Sequence, residues 1–103
     1  MSDARLYREM DADLRAYDDN KVSFRDLLDR LEECADHIAH DAKWQEKFRR
    51  TWGRMEDAYA YAADMGLNQI PEESMPDVLF ALSQIRTMVA TQVHKDPLDS
   101  TDR

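Results

Sequence analysis

Only two glycines and three prolines punctuate this chain of 103 residues, too few for the many tight turns that a sandwich or barrel of short strands requires. A single cysteine, Cys34, excludes an intramolecular disulfide and suits a reducing compartment. No stretch approaches the roughly 20 consecutive apolar residues of a membrane-spanning helix. The opening Met-Ser-Asp-Ala-Arg has no apolar core of the kind a secretion signal needs, so a cytoplasmic location is expected. Gly53 and Gly66 stand alone, which excludes a glycine-rich phosphate loop. Basic residues are scarce as well, 14 against 22 acidic, for a net charge of −8. A field of that sign repels nucleic acid and anionic bilayers, and neither is expected as a partner.

What remains is helix-forming and amphipathic. Apolar residues make up 43% of the chain, and the abundant Ala, Leu, Met, Glu, Lys and Arg lose little rotamer freedom in a helix. The first helix is expected over about Asp3–Tyr17, capped by Ser2 or Asp3, with Tyr7, Met10, Leu14 and Tyr17 forming one stripe. Asp18-Asp19-Asn20-Lys21 reads as a polar turn. Ser23 opens a second helix with Asp26 three residues on, a relative of the capping box, and Val22 is placed to staple onto Leu27. Its stripe is Phe24, Leu27, Leu28, Leu31, Cys34, Ala35 and Ile38, and it is expected to end near His40.

Asp41 caps a third helix carrying Trp44, Phe48, Trp52, Met55, Tyr59 and Ala62, with Gly66 just beyond, where a left-handed cap favours glycine. Gly53 lies inside that helix at a cost of about 1 kcal/mol relative to alanine, and either close approach of a neighbour or a tolerated surface position is its expected reason. Leu67 and Ile70 are expected as inward anchors of the next connection. Pro76 has no N–H for the carbonyl of Glu72, so a turn at 71–75 is expected to stand apart from the main fourth helix or to be kinked against it. That helix carries Val78, Leu79, Leu82, Ile85, Val89 and Val93. The whole predicts an all-α, single-domain antiparallel bundle of four helices over residues 1–94, with a disordered tail over 95–103.

Each chemical signature meets a plainer reading of the same residues. Cys34 and His37 are neighbours on one helix face, but Cys34 falls within the apolar stripe, where a thiol is inert. Glu33, His37 and His40 lie on one ridge and suit zinc in type, yet a fourth ligand is missing (His94 is the nearest idea) and histidines near a helix C-terminus are favoured by its dipole. Trp44, Phe48, Trp52 and Tyr59, interleaved with Lys43, Lys47, Arg49, Arg50 and Arg54, suggest a stacking platform, but at core spacing. No catalytic residue, metal or cofactor is expected, and the chain is expected not to be an enzyme.

Charge then directs attention to a protein partner. Residues 1–41 carry 12 acidic and 6 basic groups, residues 42–65 carry 4 and 5, and residues 66–103 carry 6 and 3. The negative charge concentrates on the first two helices, and the expected docking face is Asp18, Asp19, Asp29, Glu32, Glu33 and Asp36.

One pattern is more specific than amphipathicity. Trp52-Gly53-Arg54-Met55-Glu56-Asp57-Ala58-Tyr59-Ala60-Tyr61-Ala62 follows Phe24-x-x-Leu27-Leu28-x-x-Leu31 and precedes the Pro71-Glu72-Glu73 start of an amphipathic last helix. Over about residues 22–90 this arrangement resembles small, acidic, all-helical immunity proteins of bacterial contact-dependent and polymorphic toxin systems. Pro76 inside the last helix departs from the pattern. The resemblance implies a cytoplasmic inhibitor that binds and neutralises a cognate toxin domain, usually a nuclease. The alternative is a self-associating regulatory or scaffold protein whose first-helix stripe, with Tyr7 and Tyr17, forms a homodimer interface.

Overall fold

The computed structural model describes residues 3–67 and 69–95. Four helices account for most of them, α1 (Ala4–Asp18), α2 (Phe24–Asp36), α3 (Ala42–Asp64) and α4 (Met75–Lys95), with a short 3-10 turn at Glu72–Ser74. No strand occurs among the described residues. Of the expected tail, Lys95 is the last residue of α4 and residues 96–103 lie outside the described residues, as does Ser2.

Local sequence sets most of the boundaries. Ser23 Oγ accepts from Asp26 N at 3.0 Å and Asp41 Oδ1 from Trp44 N at 3.0 Å, each satisfying a donor that the helix start leaves orphaned. Both α1 and α3 end in a six-residue C-terminal motif. Past α3, Gly66 N donates to the Ala63 carbonyl and Leu67 N to the Ala62 carbonyl, with Gly66 at φ 73. Past α1, Asn20 N donates to Tyr17 and Lys21 N to Ala16, with Asn20 at φ 62. Only glycine, and less readily asparagine, takes that left-handed position. The turn at Glu72–Ser74 runs directly into α4 and does not stand apart from it as expected, because Met75 N donates to the Glu72 carbonyl and Pro76, one residue into α4, falls where its missing N–H interrupts nothing.

Contacts in sequence order give the topology. From α2 to α1, Arg30 meets Asp13, Cys34 meets Glu9 and Ala39 meets Asp3. From α2 to α3, Ala35 meets Gln45, Leu28 meets Trp52 and Arg25 meets Glu56. In both series one number rises as the other falls, so neighbours run antiparallel. α1 packs on α2 and α4, and α3 packs on the same two. Tyr7, Met10, Leu14, Leu27, Leu28, Leu31, Phe48, Met55, Ile85 and Val89 fill the interior. The ring of Trp44 stacks on Phe48 at 5.5 Å between centroids and takes the edge of Tyr7 at 4.9 Å.

Four expectations need correction. α2 stops at Asp36, not near His40, because the Asp3 carboxylate accepts from the backbone N–H of Ala39 (3.1 Å) and His40 (2.9 Å), donors that would otherwise have continued the helix. Leu67 and Leu79 are exposed instead of inward, since α3 is longer than α1 and α2 and its end runs past them. Tyr7 is buried and Tyr17 half-buried against the core, so the first-helix stripe is consumed inside the bundle. Of the two reasons expected for Gly53, close approach fails and a tolerated glycine remains, because a Cβ placed there meets nothing within 4 Å.

That last finding sets a paired test. Gly53→Ala is expected to stabilise the protein by about 0.5–1 kcal/mol through lost backbone entropy of the unfolded chain. Gly66→Ala, equally free of clash but left-handed, is expected to cost about 1–2 kcal/mol. Urea unfolding midpoints of the two variants should move in opposite directions.

Candidate functional site

On α2, Asp29, Glu32, Glu33 and Asp36 recur at three- and four-residue steps on the side away from Leu27, Leu28 and Leu31. The structure therefore does bring these four of the expected residues onto one face. They are not equally available. Arg25 grips Asp29 through two nitrogens (2.7 and 3.3 Å), reaches Glu56 at 3.4 Å and lies 5.2 Å above the Tyr59 ring centre. Asp36, at the helix end, pairs with Arg49 of α3. Glu32 is half-buried, Glu33 is exposed, and neither forms an ion pair among the described residues.

Asp18 and Asp19 stand apart from that face. Asp18 closes α1 and is drawn toward α4 by Arg86, while Asp19 is the exposed C-cap. Three of the six carboxylates, Asp18, Asp19 and Asp36, thus sit at helix C-termini, where the dipole disfavours negative charge by about 0.3–1 kcal/mol each. Exposed ion pairs such as Arg86–Asp18 and Arg49–Asp36 recover little, about 0–1 kcal/mol.

Between α1 and α2 runs an open groove of about 790 Å³. Cys34, Glu33, His37 and His40 border it together with Glu9 and Arg30. The thiol is buried and donates to Glu9 Oε1 at 3.7 Å. Burial first, then the charges of Glu9 and Asp13, push its pKa up to about 12. A thiol so held is a poor nucleophile. His37 Nδ1 lies 2.8 Å from the Glu33 carbonyl, which can only accept, so that nitrogen is occupied as a donor. Because α2 ends early, His40 leaves the ridge. No group of three or more His, Cys, Asp or Glu able to hold a metal occurs among the described residues.

The aromatic stripe belongs to packing. Trp44 and Phe48 are buried, and Trp52 and Tyr59 are half-buried against the core. Trp44 Nε1 donates to the Met88 carbonyl at 3.3 Å and Trp52 Nε1 to that of Leu28 at 3.1 Å, so each indole is tied to a neighbouring helix.

Two buried acids give the fold an alkaline limit. Burial and then the Asp41 and Asp3 charges push Tyr7 up to about 12, as Cys34 is pushed. In the unfolded chain the thiol ionises near 9 and the phenol near 10, so between those values and 12 the native state binds more protons. Stability then falls with rising pH. The melting temperature is expected to drop progressively above pH 9, and a Cys34→Ala, Tyr7→Phe double variant should flatten that decline. An equal slope in the variant would refute the assignment.

Sequence reasoning missed the bond from Asp3 to the α2–α3 link, for which a separation of 36 and 37 positions leaves no local signal. It also missed that Arg25 would hold Asp29 and Glu56 at once. Comparison with family models, with curated proteins and with solved structures finds no match to this chain.

Proposed function

We propose that this protein works by binding another protein, as an immunity protein that neutralises a toxin domain, with a basic nuclease as the favoured kind of partner. The observation that carries the reading is the placement of its carboxylates. Asp18, Asp19 and Asp36 lie where their own helices disfavour them, Asp29, Glu32, Glu33 and Asp36 form one acidic face of α2, and Asp18 and Asp19 add a second acidic group at the turn before it. Residues placed against local stability are a common mark of function. A nuclease surrounds its phosphate site with cations, and an acidic inhibitor associates with such a surface quickly through electrostatic steering.

Arg25, Arg49 and Arg86 hold three of these carboxylates in place in the free protein. A basic partner replaces those arginines or adds to them, so complex formation is salt-sensitive in rate. Asp19, Glu32 and Glu33 are the immediate contacts.

Co-expression with the product of an adjacent toxin-like reading frame tests the proposal. Growth is restored if the chain neutralises that toxin, and an Asp19→Lys, Glu32→Lys, Glu33→Lys triple variant is expected to abolish the rescue while folding normally. Failure of the wild-type chain to rescue would sink the toxin reading.

A further inference from the structure

The end of the molecule opposite the Asp3 clasp has a different chemistry. Phe24, the first residue of α2, lies 6.4 Å from the Tyr59 ring, and Arg25 reaches Glu56, so the α1–α2 turn stands level with residues 56–59 of α3. α3 has 23 residues, about 34 Å at 1.5 Å each, against 15 in α1 and 13 in α2. Its last turns therefore continue past the shorter pair, with only the start of α4 and the connection beside them. Tyr61, Met65, Leu67, Leu79 and Phe80, the exposed large apolar residues among those described, lie in the last turn of α3, the connection and the first two turns of α4, at 45–60% exposure. A recess of about 100 Å³ opens there among Tyr59, Ala62, Ala63, Leu67, Gln69 and Ile70. An apolar cavity of about 150 Å³ admits a benzene-sized group, so this one suits a single aliphatic side chain.

Charge identifies the occupant. From Met55 to Ile85 the sequence contains no Lys, Arg or His, but it does contain Glu56, Asp57, Asp64, Glu72, Glu73 and Asp77. Glu72, Glu73 and Asp77 lie at the turn into α4, beside Leu79 and Phe80 in sequence, and Asp64 precedes Met65. Two such tips repel one another, which disfavours a second copy of the chain. An anionic bilayer is repelled in the same way. A cationic helix with one apolar face meets both requirements, its leucines or aromatics covering the exposed side chains and its Lys or Arg facing the carboxylates. Methionine at 65 adds a side chain that adapts to differing partners.

We propose that the α3–α4 tip is a docking surface for a cationic amphipathic segment of a partner protein, separate from the carboxylates of α2. It does not depend on the partner being a toxin.

The test titrates the isotopically labelled full chain with a synthetic Leu/Lys amphipathic helix, its scrambled isomer and a Leu/Glu counterpart, followed by NMR. The Leu/Lys helix is expected to bind at least about ten-fold more tightly than the scrambled peptide, a difference of about 1.4 kcal/mol, and to shift resonances over residues 59–82. The Leu/Glu helix is expected not to bind. Leu79→Ser with Phe80→Ser should weaken binding about ten-fold or more, and so should Met65→Ser with Leu67→Ser. All four positions are exposed, so the fold survives, as circular dichroism will verify. Equal binding of the scrambled peptide, undiminished affinity in both double variants, or shifts confined to α1 and α2 would overturn the proposal. So would a dimer in sedimentation that the Leu79→Ser, Phe80→Ser variant dissolves, which would assign the surface to a second copy.

Discussion

Replacing Phe48 with alanine is expected to cost about 3–5 kcal/mol, a large share of the roughly 5–15 kcal/mol that holds a small domain folded. The ring is 1% exposed and stacks under Trp44, which in turn receives the edge of Tyr7. Removing it leaves a void under Trp44, because Trp44 is tied by its indole nitrogen to Met88 and cannot follow the collapse. Loss of transfer energy and loss of contact therefore add. Phe48→Leu, which keeps more of the volume, should cost distinctly less. Urea unfolding followed by far-ultraviolet circular dichroism gives both values. A loss below about 1 kcal/mol for the alanine variant would mean the aromatic layer is not core, and would reopen the stacking-platform reading of this helix.

The second large effect is at Asp3, a residue 9% exposed whose two carboxylate oxygens hold successive backbone donors of the α2–α3 link. Hydrogen bonds to a charged acceptor are worth about 1.5–3 kcal/mol each. Because Ala39 and His40 are themselves exposed and water reaches them, the lower end applies, and Asp3→Ala is expected to lose about 2–3 kcal/mol in all. Asp3→Asn retains one good acceptor oxygen and should lose about half as much. If alanine and asparagine proved equally costly, or both harmless, the clasp would not be what joins α1 to this link.

Local chemistry made much of the fold legible. Ser23 and Asp41 announce their helices by their own side chains, Gly66 marks the end of α3, and Pro71 opens the 3-10 turn that leads into α4. Each signal acts within five residues. The end of α2 was not legible, since its stripe continues periodically to Ile38 and only a carboxylate far away in sequence halts it. Leu79 shows the converse. It has the right residue type near the right spacing, but whether a position is covered depends on how far the neighbouring helices extend, which α4 alone does not encode. For the candidate site, sequence identified the acidic positions, and the structure sorted them into those held by arginine and those left open. The apolar tip was not legible because Leu79 fell in the α4 stripe and Leu67 read as an inward anchor, while Tyr61, Met65 and Phe80 lay off every stripe as isolated apolar residues.

That two helices outlast the other two has a kinetic consequence. Amide protection is expected to be graded along the molecule, deepest around Leu28, Phe48 and Ile85 and shallowest over residues 60–64 and 75–80. Those segments can open and close without unzipping the remainder, since no third helix is broken by their separation. Hydrogen exchange there would report a small, private unfolding reaction, and any ligand seated on the tip would slow it selectively.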